Sequence, residues 1–137
     1  MSKELILKKA EQLKELLAEL ARLVADEQEH FIADLKTIRA AERNFELIVE
    51  IASDINTQML VDAGKKTPDS YKESFTELQK DGVLSAALAK RLVSTAKLRN
   101  ILIHEYDFDE DYIEFYDEAK KAIPAYQEYM SAILIRI

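Results

Sequence analysis

The chain has no cysteine. That excludes disulfides, thiolate metal sites and cysteine nucleophiles together, and it fits a reducing cytoplasm. Only two glycines and two prolines occur, too few for an all-β fold with its many tight turns. No Gly-rich phosphate loop, internal repeat or low-complexity tract is present. No apolar run reaches the length a bilayer needs, so no membrane is expected among the partners. The N-terminal "MSKELILKKAEQLKELL" places charge in every turn, unlike a signal peptide or a transmembrane span. What remains is a chain of 137 residues, 48% hydrophobic and 33% charged. That suits one domain over residues 1–137, large enough to bury a core without covalent staples.

Net charge is −7, which taken whole argues against a general nucleic-acid binder. The charge is unevenly placed, however. Residues 83–104 hold Lys90, Arg91, Lys97 and Arg99 and no acid. Residues 105–118 hold Glu105, Asp107, Asp109, Glu110, Asp111, Glu114, Asp117 and Glu118 and no base. The sign switches within "LRNILIHEYD", residues 98–107.

Apolar spacing predicts an all-α, up-and-down bundle of about five helices. Ile6, Ala10, Leu13, Leu17, Leu20 and Val24 stripe a long first helix, with Ser2 as its expected cap. A second starts near Asp34, carries Ile38, Ala41, Phe45, Ile48, Ala52, Ile55 and Met59, and ends at Gly64. A short third is capped by Thr67 or Ser70 and stopped by Gly82. The fourth runs from near Ser85 to about His104 along Leu88, Leu92, Thr95, Leu98 and Leu102. The fifth starts near Asp109 and carries Ile113, Tyr116, Ala119, Ile123, Tyr126, Met130 and Ile133, with Pro124 expected to kink or split it. The terminal "AILIRI" is expected to pack on the core or on a partner subunit.

Several polar groups have plain structural explanations. His30 in "DEQEHFIAD" lacks a second histidine at ligand spacing, so a helix-end surface residue is expected rather than a zinc ligand. "ERNFE", with Glu42, Arg43 and Glu46, reads as a solvated face with helical ion pairs. The C-terminal tyrosines read as core. Asp107, Asp109, Asp111 and Glu118 fall at calcium-loop positions, but Tyr112 stands where that loop needs glycine. A capped helix start explains those acids, and no metal is expected.

Arg99, Asn100, His104 and Tyr106 are harder to dismiss. On a strict helix Arg99 and Tyr106 share a face, while His104 lies about 140° round from Arg99. Basic residues at a helix C-terminus suit its carbonyls and dipole. Against that explanation stand the Asn beside the Arg, the Tyr after the His and the acid-free basic helix leading in.

"RNILIHEY" resembles the Arg-X4-His-X-Tyr signature of HepT-like HEPN proteins. "IRAAERNFELIVEIASDIN" is similar to that family's second helix. "SYKESFTELQKDGVLSAALAKRLVSTAKLRNILIHEYDFD" is similar to its short helix, turn and motif helix. The resemblance spans residues 34–118 well and the two ends loosely. It implies an all-α homodimer and a metal-independent RNA endonuclease with no cofactor. It also implies the toxin half of a pair whose antitoxin is a minimal nucleotidyltransferase that adds AMP to the motif tyrosine, here Tyr106.

RNA can be cut by its own 2′-hydroxyl, given a base for the 2′ proton, an acid for the leaving 5′ oxygen and positive charge on the phosphorane. Histidine titrates in the right range, and arginine offers phosphate a planar fork of donors. His104 is thus the candidate acid/base and Arg99 the candidate for phosphate and transition-state binding. Asn100 orients, and Tyr106 is a phosphate contact and modification target. Lys90, Arg91 and Lys97 are candidates to track the RNA backbone. One chain has one Arg and one His in the motif, and the resemblance implies a cleft shared across a twofold dimer. The alternatives are a non-catalytic HEPN module that binds nucleotides or a partner, and a purely structural helical dimer.

Overall fold

The structure, a computed structural model, describes residues 2–104 and 111–137. Six helices make up the described residues: α1 (Ser2–Leu23), α2 (Gln28–Ile32), α3 (Leu35–Asp62), α4 (Tyr71–Lys80), α5 (Ala86–His104) and α6 (Tyr112–Leu134). Cross-helix bonds fix their directions. Ser2 bonds Asp62, Lys9 bonds Asp54, and Asn44 donates to the Leu16 carbonyl, so α1 and α3 are antiparallel. Arg91 with Glu128 and Thr95 with Tyr126 make α5 and α6 antiparallel. Arg39 with Tyr112 and Tyr129 with Ala52 make α6 parallel to α3. The four long helices therefore alternate up and down, and α3 touches every other helix.

The core follows the apolar stripes. All six stripe residues of α1 and its exit turn are buried, and on α3 only Met59 is not fully buried. Asp34 caps α3 with bonds from the Lys36 and Thr37 amides. Its carboxyl is held below the usual range first by the Thr37 hydroxyl and then by the Thr37 amide. Ser70, of the two candidates, caps α4 through the Glu73 amide. After α3 and α4 the chain reverses through Gly64 (φ 76°) and Gly82 (φ 80°). Lys65 donates to the Leu60 carbonyl at 2.8 Å and Val83 to the Leu78 carbonyl at 3.0 Å, the six-to-one bond of a Schellman turn, which needs the left-handed residue that glycine supplies.

Four expectations change. An extra one-turn helix, α2, docks Phe31 against Phe115 and Tyr116. A single apolar anchor in an acidic stretch carries no periodicity to detect. Ser2 is not a cap: it lies within α1, and its hydroxyl reaches across to Asp62 at 2.8 Å. Pro124 sits inside α6 without splitting it into two helices. Ile113 is 46% exposed while Phe115 and Tyr129 are buried, so the buried face of α6 includes Tyr116, Ala119, Tyr126 and Ile133 of the stripe read from spacing but leaves out its first residue. The expected start near Asp109 lies outside the described residues, and Asp111 caps α6 through the Glu114 amide at 3.0 Å. At the C-terminus Ile133 is buried and Ile137 packs on the core, whereas Ile135 is exposed. No helix among the described residues is long and apolar enough to cross a membrane.

Candidate active site

The motif begins on the last two turns of α5. This helix is apolar over much of its circumference: Leu88, Leu92 and Ala96 are buried, Leu98, Leu102 and Ile103 are half-buried, and Ile101 is exposed. Arg99 turns inward, toward α3 and the start of α4. Its side chain is only 13% exposed. One terminal nitrogen, Nη2, donates to Glu50 Oε2 of α3 at 3.4 Å, and the other, Nη1, donates to Asn100 Oδ1 at 3.2 Å. The guanidinium lies over the Tyr71 ring, 4.4 Å from its centroid, a distance at which the ring quadrupole attracts the cation. Its Nε is buried and has no acceptor among the described residues.

Glu50 Oε2 also stands 4.0 Å from Arg43 Nη1. Arg43 in turn bonds Glu46 at 3.2 Å, the helical pair expected of that segment. Glu42 differs from the expectation of a solvated face. It is 8% exposed and bonds Arg39 at 2.8 Å, leaving Oε2 buried. The neighbouring wall of α6 brings its Tyr112 hydroxyl within 3.3 Å of Arg39.

His104 is the last residue of α5 and is exposed. Lys90, Lys97 and His104 recur every seven residues, so they fall on one stripe within about 40° of each other. All three are exposed, as are Ser94 and Ile101 between them. Arg91 is also exposed but pairs with Glu128 at 3.0 Å. The helix therefore separates the motif: Arg99 faces the bundle, and His104 faces solvent beside two lysines. The strict-helix angle between them is kept, since α5 continues through His104. Tyr106 lies outside the described residues.

A cavity of about 400 Å³ adjoins Arg99 and Asn100, walled by Ser53, Asp54 and Thr57 of α3 and by Asp69, Ser70 and Tyr71 at the start of α4. Beneath it a buried polar chain ties three helices together. Tyr129 Oη lies 3.0 Å from the Ala52 carbonyl and 2.5 Å from Asn56 Oδ1. Asn56 and Ser53 both donate to Ser74 Oγ, which donates to the Tyr71 carbonyl at 2.7 Å. Burial pushes the Tyr129 hydroxyl well up, and the neighbouring Tyr126 adds to the effect. Tyr126 is pushed up by burial too, partly offset by its bond to Thr95.

The histidine and tyrosines away from the motif keep structural roles. His30 Nδ1 is 3.0 Å from Asp26 Oδ1 on the surface, and this contact draws the Asp26 carboxyl below its usual range. Tyr116, Tyr126 and Tyr129 are buried, as expected of core residues. Among the described residues no three of His, Asp and Glu converge on a metal position.

Two residues that complete the arginine's surroundings, Glu50 and Tyr71, were not singled out from the sequence. Glu50 is 49 residues from Arg99, and nothing local distinguishes it from its acidic neighbours. The only signal is that Glu46 and Glu50 continue one polar edge of α3 four residues apart.

The class is that of an antiparallel all-α bundle whose fifth helix carries an arginine and a histidine on different faces near its C-terminal end. The family described as "Ribonuclease HepT-like" matches residues 6–133, and the chain belongs to it. A tRNA nuclease HepT from Aphanizomenon flos-aquae is 43% identical over 68 residues, which cover 48% of this chain and 45% of that protein. The matched segment is thus under half the length of that relative. Among solved structures, the tri-AMPylated Shewanella oneidensis HEPN toxin in complex with its MNT antitoxin superposes with a TM-score of 0.85 at 19% identity. That match covers 95% of this chain and 96% of that one. A cytosolic Bacillus subtilis protein of unknown function, YutE, superposes at 0.72 with 18% identity over 92% of this chain and 88% of that one. At these identities the superpositions speak for the shared fold.

Proposed function

We propose that this chain is a metal-independent RNA endonuclease, the toxin of a HEPN and nucleotidyltransferase pair. The observation that carries it is the division of labour on α5: Arg99 is held as a pre-set fork near a polar cavity, and His104 stands exposed on the stripe of Lys90 and Lys97. Two copies apposed at the C-terminal ends of α5 would bring two histidines into one cleft and two Arg99 cavities to its edge. The half-apolar character of that helix surface, with Leu98, Ile101, Leu102 and Ile103, supports such an interface.

In that cleft one His104 takes the proton of the substrate 2′-hydroxyl, and the oxygen attacks the adjacent phosphorus. The 5′ oxygen leaves with a proton from the second His104. The products are a 2′,3′-cyclic phosphate and a free 5′-hydroxyl. Arg99 binds the phosphorane's equatorial oxygens, and Asn100 steadies Arg99 through their hydrogen bond. Lys90 and Lys97 track the RNA backbone beyond the cut, with Arg91 joining them when it leaves Glu128. Tyr106 contacts phosphate and is the site of AMP addition by the antitoxin. A bulky anion there blocks RNA by volume and by charge. The AMPylated state of the Shewanella toxin supports AMP addition to the toxin partner.

The test is cleavage of labelled RNA in excess EDTA by wild type, Arg99→Ala and His104→Ala. Wild type is expected to cut and both variants to lose at least about 100-fold, the range for a removed acid/base or electrostatic group. An excess of His104→Ala mixed with wild type should poison its cutting if the cleft is shared, because a mixed dimer holds a single histidine. Equal cutting by all three proteins, or cutting only with added metal, refutes the mechanism. Binding of nucleotide or of the antitoxin without RNA loss would favour the non-catalytic module instead.

A further inference from the structure

Arg99 is gripped on more sides than its own helix provides, and the grip comes from residues far away in sequence. We propose that Glu50, with Tyr71 as the opposing wall, is a positioning residue that pre-sets the Arg99 fork for the scissile phosphate. The inference rests on the ribonuclease reading above and adds a residue outside the motif.

A free arginine side chain samples many rotamers and loses that freedom when it binds phosphate. Here the freedom is already removed. Nη2 is bonded to Glu50 at 3.4 Å, Nη1 to Asn100 at 3.2 Å, and the plane rests on Tyr71 at 4.4 Å. A guanidinium has five N–H groups. The two bonds leave one on each terminal nitrogen, and Nε is buried against the wall. The unused pair is what an anion in the adjoining cavity would take, so the charge needs no reorganisation during the reaction.

A carboxylate beside the phosphate-binding arginine would ordinarily cancel the charge the site needs. Arg43 meets part of that objection. Its Nη1 stands 4.0 Å from the same Glu50 oxygen and 3.2 Å from Glu46, so two guanidinium groups and two carboxylates balance. Glu50 can therefore orient Arg99 without leaving the cluster net negative. Tyr71 is fixed in turn from below, where its carbonyl accepts from Ser74 Oγ at 2.7 Å.

The experiment compares wild type with Glu50→Gln, Glu50→Asp and Tyr71→Leu in steady-state RNA cleavage. Arg99 is followed in parallel by nitrogen-15 NMR of its Nε–H, assigned by its absence in Arg99→Lys. Glu50→Gln is expected to lower kcat by roughly 10- to 100-fold, the scale of a misplaced catalytic group. KM should stay level or fall, because a negative charge has gone. Glu50→Asp should recover part of kcat, since the charge returns on a shorter arm. The Arg99 Nε–H signal, narrow and protected in wild type, should broaden and exchange faster in Glu50→Gln and Tyr71→Leu. A merely structural Glu50 would lower thermal stability without this kcat-against-KM split. Glu50→Gln cutting as fast as wild type, or faster, overturns the inference and makes Glu50 a competing counter-ion. A wild type that cuts no RNA defeats the ribonuclease reading instead. An Arg99 signal unchanged by Glu50→Gln then overturns the positioning role on its own.

Discussion

Asn56→Ala is expected to destabilise the protein by about 3 kcal/mol, two hydrogen bonds at about 1 kcal/mol each plus a void of similar cost. Asn56 is fully buried at the centre of the chain that links α6, α3 and α4. Its Nδ2 donates to Ser74 Oγ at 3.0 Å, and its Oδ1 faces Tyr129 Oη at 2.5 Å. Truncation removes both bonds and the volume of a carboxamide. Neither partner is left bare, because Ser74 keeps Ser53 and Tyr71, and Tyr129 keeps Ala52. That is why the expected cost stays well below the sum for fully orphaned groups. Tyr129→Phe removes only the hydroxyl and should cost about 1–2 kcal/mol. The Ala52 carbonyl retains its helical partner, so the loss falls on Asn56 Oδ1. Because both variants break the same bond, the double variant should cost less than the sum by about 1 kcal/mol. Urea denaturation followed by circular dichroism measures all three. For a chain of this length the Asn56→Ala cost corresponds to a Tm drop of roughly 9–15 °C. A cost below about 1 kcal/mol, or strict additivity of the pair, would refute the argument that this network is satisfied and coupled.

Alkaline pH should unfold the protein through its two buried tyrosines. Tyr126 and Tyr129 titrate above the ordinary tyrosine value of 10.0 in the folded state. Their stabilising contribution is complete below the unfolded value and is lost as pH rises past it. Each should remove about 1.4 kcal/mol per pH unit while it stays protonated in the fold and ionises in the unfolded chain. Tyrosinate absorbance should rise with loss of helix rather than before it, and Tyr126→Phe should flatten the decline. Gly82→Ala should cost about 1 kcal/mol: a Cβ there meets nothing within 4 Å, but φ is +80°, where an L side chain is strained. Chemical denaturation checks this, and Gly82→Asn, which tolerates that region better, should cost less.

The fold was mostly legible because helix periodicity is a local signal. The α1 stripe predicted every buried residue of that helix, and Asp34, Gly64 and Gly82 marked ends through their own backbone and side-chain chemistry. The signal failed where it was too short or too broad. Five residues of α2 contain one anchor. The buried face of α6 is wide enough that spacing alone favoured Ile113 over Phe115 and Tyr129. Tyr129 is inside because its hydroxyl finds Ala52 and Asn56 on α3, 77 and 73 residues away.

The candidate site divides in the same way. By itself the sequence determined the motif helix and the change of charge sign at its end, and it offered Arg99, Asn100 and His104 as the candidate groups. Those properties belong to single residues and to one helix, so they need no partner. Only the tertiary structure decided which way each group faces. It turned Arg99 onto Glu50 and Tyr71, left His104 exposed in line with Lys90 and Lys97, and put Arg43 beside the same carboxylate. Direction at a site is set by what packs opposite. Here the opposing residues come from helices whose order in the chain does not reveal that they meet.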